Sequence, residues 1–228
     1  MKINIKKIVL FFLFFGCIAV FSHKYFFKRW SSYYHNKLYK EPRQLLVQGI
    51  DLFNKSNQDT GNKKALDLGA GVGNDTVYLL QQGWYVWTND KEKEAIGILK
   101  SRKDIQEYLD NVTFINKDFL ELPWNQLPLF NIIYAAYSLP FIDKTNFYIV
   151  WNNILDHLES NGLLIVYLLG DMHEGFNAWQ KSKMSFFNKK EVLELFKDLD
   201  IIFFEETYER NDQHVMDHSF AVIATKKL

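Results

Sequence analysis

The stretch Asp67-Leu68-Gly69-Ala70-Gly71-Val72-Gly73-Asn74-Asp75 sets three glycines between a short apolar strand and the start of a helix. Glycines at such a junction let the backbone turn tightly and let a ligand come close. The first N–H groups of the helix, which have no partner within it, then face the ligand. A dinucleotide site wants the spacing G-x-G-x-x-G. Here the third glycine, Gly73, arrives one place early, and Asn74 stands where that glycine would be. Asp67 lies two residues before the first glycine, and a carboxylate there suits a cationic ligand better than a pyrophosphate.

Elements alternate through the rest of the chain. Strands are expected at 65–68, 84–88, 112–115, 131–136, 163–169, 201–205 and 219–225. Helices are expected at 75–82, 91–108, 145–158 and 189–196, and Glu41-Pro42 announces an earlier one whose stripe is Leu45, Leu46, Ile50, Leu52 and Phe53. Strands alternating with helices predict an α/β fold, a doubly wound, mostly parallel seven-stranded sheet with helices on both faces. Continuous apolar strands agree with burial on both sides. Only 210–217 joins the last two strands, so these are expected to form an antiparallel hairpin at the sheet edge.

A chain of 228 residues suffices for one such domain, and 48% hydrophobic residues allow a sizeable core. Basic and acidic residues balance at 27 each, which leaves no electrostatic footprint for nucleic acid. The single cysteine, Cys17, can form neither an internal disulfide nor a cysteine-based metal site.

The glycine stretch resembles motif I of the class I methyltransferases that use S-adenosylmethionine (SAM), an acidic residue followed by G-x-G-x-G. Two further segments match in order. Gly83 to Asp90 resembles the family's second strand, which ends in an acidic residue, and Asn116-Lys117-Asp118-Phe119 resembles the loop after its third strand. The resemblance covers about residues 60–226 and implies a Rossmann-like fold with SAM as cofactor. It implies that Asp90, followed by Lys91, holds the ribose hydroxyls, and two lone pairs on each carboxylate oxygen suit a vicinal diol. It implies that Asp118 bonds the adenine amine, that Phe119 lies beside the ring, and that Asp67 orients the methionine end. Gly69, Ala70, Gly71 and Gly73 would shape the pocket, and Ala135 would let the cofactor pass. For Asn74 and Asp75, helix capping is expected ahead of ligand contact. Tyr137 to Phe141, with Trp151 and Leu168 to Asp171, resembles a bacterial branch related to tellurite-resistance and thiopurine-type enzymes that act on small molecules.

Tyr137, Asp171 and His173 are the candidate catalytic residues, with His214 and His218 as further candidate bases. The acceptor is read as a small molecule bearing a thiol, another soft nucleophile, a hydroxyl or an amine. No metal is expected. A SAM-binding protein without catalysis and a membrane-tethered interaction module stay open as alternatives.

The N-terminal run Ile8 to Phe21 is uninterruptedly apolar, preceded by Lys2, Lys6 and Lys7 and followed by His23, Lys24, Lys28 and Arg29. It is shorter than the roughly 20 residues a spanning helix wants, unless Lys24 snorkels and Tyr25 to Phe27 extend it. The expected organisation is an anchor or signal-like segment at 1–28, a linker and cap helix at 29–60, and the methyltransferase domain at 61–228. SAM is made in the cytosol, so a membrane-anchored enzyme is expected to face the cytoplasm. A soluble cytoplasmic protein and an exported one are the alternatives.

Overall fold

The computed structural model describes residues 30, 32–56, 61, 63–210, 212 and 214–227. The chain divides between Tyr39 and Lys40. In the first unit, residues 32–37 are helical, and Trp30, Tyr33 and Tyr34 pack ring on ring with centroids 5.6 to 6.2 Å apart. The apolar run 8–21 lies outside the described residues, and with it the expected anchor. Among the described residues no helix is long and apolar enough to cross a membrane.

The second unit holds seven strands: β1 (Lys64–Leu68), β2 (Tyr85–Asn89), β3 (Val112–Ile115), β4 (Phe130–Ala136), β5 (Leu158–Leu169), β6 (Leu199–Arg210) and β7 (Met216–Lys226). Its helices are α1 (Gln44–Ser56), α2 (Asn74–Gln81), α3 (Lys93–Ser101), α4 (Lys144–His157), α5 (Ala178–Lys181) and α6 (Lys189–Leu195). The strands form one sheet in the order β3-β2-β1-β4-β5-β7-β6. β1 to β5 pair in parallel, while β7 runs antiparallel to both β5 and β6. The expected C-terminal hairpin is therefore present. It is longer than its apolar cores indicate, because polar residues such as Glu205, Glu206, Asp217 and His218 continue the ladder.

Successive residues of a strand point to opposite faces, and both faces are apolar. In β4, Ile132 and Tyr134 join α1 and α2 in one core, whereas Ile133 and Ala135 join α4 and α6 in the other. α1 therefore packs on the sheet with the domain, through Leu45, Leu46, Ile50 and Phe53. Gly49 lets it lie close to β5, since a methyl group there would meet Ile165 Cδ1 at 2.3 Å.

The ends of α4 are tied by side chains. Asp143 accepts from Thr145 N and Asn146 N at its start, and Lys226 Nζ donates to Leu155 O and Leu158 O at its end. The helix expected over 91–108 instead stops at Ser101 and resumes as a 3-10 helix over Lys103–Asn111. Arg102, between them, is extended, with ψ 139°. Its buried guanidinium donates to Val72 O (2.9 Å), Asn74 Oδ1 (2.6 Å) and the Asp104 carboxylate. That anchorage, out of reach of a continuous helix, overrides local propensity.

Candidate functional site

The carboxyl ends of β1, β2 and β4 converge beside the switch in strand order, where open α/β sheets bind ligands. The glycine turn after β1 docks on β2, as Gly69 N and Ala70 N both donate to Asn89 O at 2.8 Å. Gly69, Gly71 and Gly73 all have positive φ, between 57° and 76°. Gly69 also permits a close approach, because a methyl group on it would meet Ser138 Cβ at 2.3 Å. Gly73 closes the turn at the N-cap of α2 without a side-chain cap.

Asp90 follows β2 and is buried. Its Oδ2 accepts from Gly71 N and its Oδ1 from Glu92 N, both at 2.9 Å. Burial pushes its carboxyl up, against those two backbone bonds and the Lys91 charge. Each oxygen keeps one lone pair for a vicinal diol. Lys91 itself is exposed, with Nζ 4.0 Å from Asp118 Oδ2. Asp118 accepts from Leu120 N and starts a short 3-10 turn, and Phe119 is half-buried beside Gly69.

Asp67 is buried on the α2 face. It accepts from Thr76 Oγ1 at 2.5 Å, and Thr76 in turn pairs with Thr88 at 3.0 Å. Burial, reinforced by the charge of Asp75, pushes its carboxyl from an ordinary 3.8 up to about 7. Asn74 and Asp75 do not cap α2. Arg102 takes Asn74. Asp75 accepts from Arg43 N (2.9 Å), Arg43 Nη1 (2.8 Å) and Tyr134 OH (3.0 Å). Buried polar groups need partners, and these distant ones outcompete the helix end.

Ala135 is fully buried in the core below. The residue beyond β4 that meets the glycine turn is Ser138, whose Oγ donates to Leu68 O at 2.6 Å. Tyr137 has φ 55°, a region rare outside glycine. Its ring stacks on Tyr167 at 4.7 Å, and the Arg43 guanidinium lies 5.9 Å away. Burial raises the Tyr137 hydroxyl above its ordinary value, opposed by a hydrogen bond with Ser219.

Asp171 and His173 gather elsewhere. His173 Nδ1 is 3.3 Å from Asp217 Oδ1, and its ring packs on Phe176 and Phe186. Burial lowers its pKa, opposed by Asp217. Asp171 is exposed, 3.5 Å from Nδ1 of the buried His218. His218 also accepts from Met172 N. His214 is exposed in the β6–β7 connection. Ser219 and His218 are neighbours on β7, so their side chains leave opposite faces. Tyr137 bonds Ser219 and His173 pairs with Asp217, which leave one face of β7, whereas Asp171 neighbours His218 on the other; of the three candidates, Tyr137 adjoins the glycine turn, through Ser138. Among the described residues no group of three or more His, Cys, Asp or Glu is placed to hold a metal ion.

The sheet order and the glycine turn define a Rossmann-like α/β fold. Residues 65–162 match the family profile of a methyltransferase domain. TehB from Haemophilus influenzae has a similar structure, with TM-score 0.61 and 18% identity over 78% of this chain and 67% of that one. So does the N-methyltransferase NodS from Bradyrhizobium japonicum in complex with S-adenosyl-L-homocysteine (SAH), with TM-score 0.60 and 16% identity over 83% and 90%. Magnesium protoporphyrin IX methyltransferase from Synechocystis with bound SAH gives TM-score 0.61 and 14% identity over 80% and 81%. No curated protein matches the chain in sequence. Residues 65–162 thus match a methyltransferase domain, and the fold is the one these methyltransferases share.

Proposed function

We propose that the protein transfers the methyl group of SAM to a small-molecule acceptor bound above the Tyr137–Tyr167 stack. The observation that carries this reading is the ring of Gly71 N, Asp90 and the glycine turn, a carboxylate fixed at 2.9 Å under a backbone open to close approach. Bound SAM supplies a methyl group on a sulfonium, already a good leaving group. The chain has to align the acceptor and exclude water.

In this reading Asp90 holds the ribose, Asp118 and Phe119 hold the adenine, and Asp67 faces the methionine ammonium. Tyr137, Tyr167 and Arg43 wall the acceptor side. The raised Tyr137 hydroxyl stays protonated at neutral pH, so it donates a hydrogen bond to the acceptor and does not act as its base. Asp171 and His173 have no contact with the glycine turn among those described, which favours acceptors that need no strong base, such as thiols and neutral amines. An amine acceptor agrees with similarity to the N-methyltransferase NodS.

Calorimetric titration of SAM into the full chain, with NAD as control, tests the reading. Saturable binding of SAM alone is expected. Asp90→Ala removes two charge-assisted bonds to the diol and should weaken SAM at least about thirtyfold. NAD binding in place of SAM, or unchanged affinity in that variant, overturns the assignment.

A further inference from the structure

Asn89, the last residue of β2, is fully buried and joins three parts of the proposed cofactor site. Its carbonyl oxygen receives Gly69 N and Ala70 N. Its side-chain Nδ2 donates across to Lys117 O at 2.8 Å and Ile115 O at 3.2 Å. Two carbonyls on one side of the amide fix its orientation, because only the NH2 end can face them. Asp90 follows it directly. Asn116 returns the clasp from the other strand, with Nδ2 donating to Asp90 O and Lys91 O, both at 2.9 Å. The glycine turn, the ribose carboxylate and the 116–119 loop are thereby held at one spacing.

The second end of the Asn89 amide is unusual. Its Oδ1 is buried and has no hydrogen-bond partner among the described residues. Buried acceptors are nearly always paired, and leaving one unpaired is costly. Asn89 sits two residues after Trp87, on the sheet face whose core includes Leu66, Leu68 and Phe119. With Nδ2 held on Ile115 O and Lys117 O, the Oδ1 end is left for a donor from outside the described residues, a bound ligand among them.

We propose that Asn89 is the positioning residue of the cofactor site, setting the slot between the glycine turn and residues 116–119 so that it selects a purine carrying an amine. This rests on the methyltransferase reading above. The test compares SAH with its 6-oxo counterpart, in which hypoxanthine replaces adenine, by titration into the full-length native protein, Asn89→Leu and Asn116→Ala. The native protein is expected to favour SAH. Asn89→Leu should weaken SAH at least about tenfold, the worth of one to two hydrogen bonds, and bring the SAH to 6-oxo ratio towards one. Asn116→Ala, at an exposed position, keeps the fold and should shift the ratio the same way by a smaller factor.

A residue that only supports the fold would weaken both ligands equally. An unchanged ratio, or unchanged SAH affinity in both variants, overturns the inference alone. Failure of the native protein to bind either ligand overturns the methyltransferase reading and this inference with it. If Asn89→Leu does not fold, Asn116→Ala decides the outcome.

Discussion

Asp67 is buried with Asp75 as its charged neighbour and one hydroxyl as its support. Unfolded, it loses its proton near 3.8; folded, near 7. Between those values the folded chain holds a proton that the unfolded chain does not, so this group's contribution to stability falls as pH rises through that window. Asp67→Asn removes the titration. It should melt roughly 3 °C or more above the native protein at pH 8, and the gap should close towards pH 4; an equal shift at both would exclude Asp67 as its source. With Asp67 facing the methionine ammonium, as proposed above, SAM should bind the native protein more tightly as pH climbs through about 7, with Asp67→Asn flattening that slope. Asp67 and the glycines could be singled out in the sequence because spacing along nine residues carries them, and Asp90 because it follows the second strand. Arg43, Arg102 and Asn89 were not. Arg43 finds Asp75 across 32 positions, and Arg102 finds Val72 across 30, and no local pattern marks a partner that distant. Ser138 lay within the phrase Tyr137 to Phe141, but only its contact with Gly69 reveals its place.

The break at Arg102 shows how one buried cation shapes two elements. Lys93–Ser101 and the following 3-10 helix carry the apolar stripe of a single helix, so periodicity alone predicts continuity over 91–108. Arg102 ends α3 in order to brace the glycine turn at Val72 and Asn74. Arg102→Met keeps the length and removes the donors, leaving Val72 O buried without its partner. It should cost about 2–3 kcal/mol in urea unfolding, and it should weaken SAM binding, because the turn loses its outer support. A loss of stability with SAM affinity intact would show that the brace serves packing only. The opposite case is α4, whose capping residue Asp143 and apolar stripe were both local. It was expected over 145–158 and found over Lys144–His157.

For the whole molecule, the alternation of elements made the seven strands, the two covered faces and the terminal hairpin readable. Strand order was not, because parallel neighbours are chosen by how helices cover the sheet and not by adjacency in the chain. The place of β7 matters most. Its Phe220 is fully buried between sheet and helices and packs on Phe204 and His218. Phe220→Ala should cost about 3–5 kcal/mol, read from denaturant midpoints; a loss under about 1 kcal/mol would mean that the core closes without it. β7 is made after β6, yet it fills the gap between β5 and β6. On the ribosome, β6 emerges with nothing to pair with, and the Leu163–Leu169 edge of β5 waits bare until its partner strand is free. An unpaired apolar edge is where chains adhere to one another. Translation speed between β6 and the end of β7, and the chaperones present at the exit tunnel, thus become determinants of how much folded protein a cell obtains.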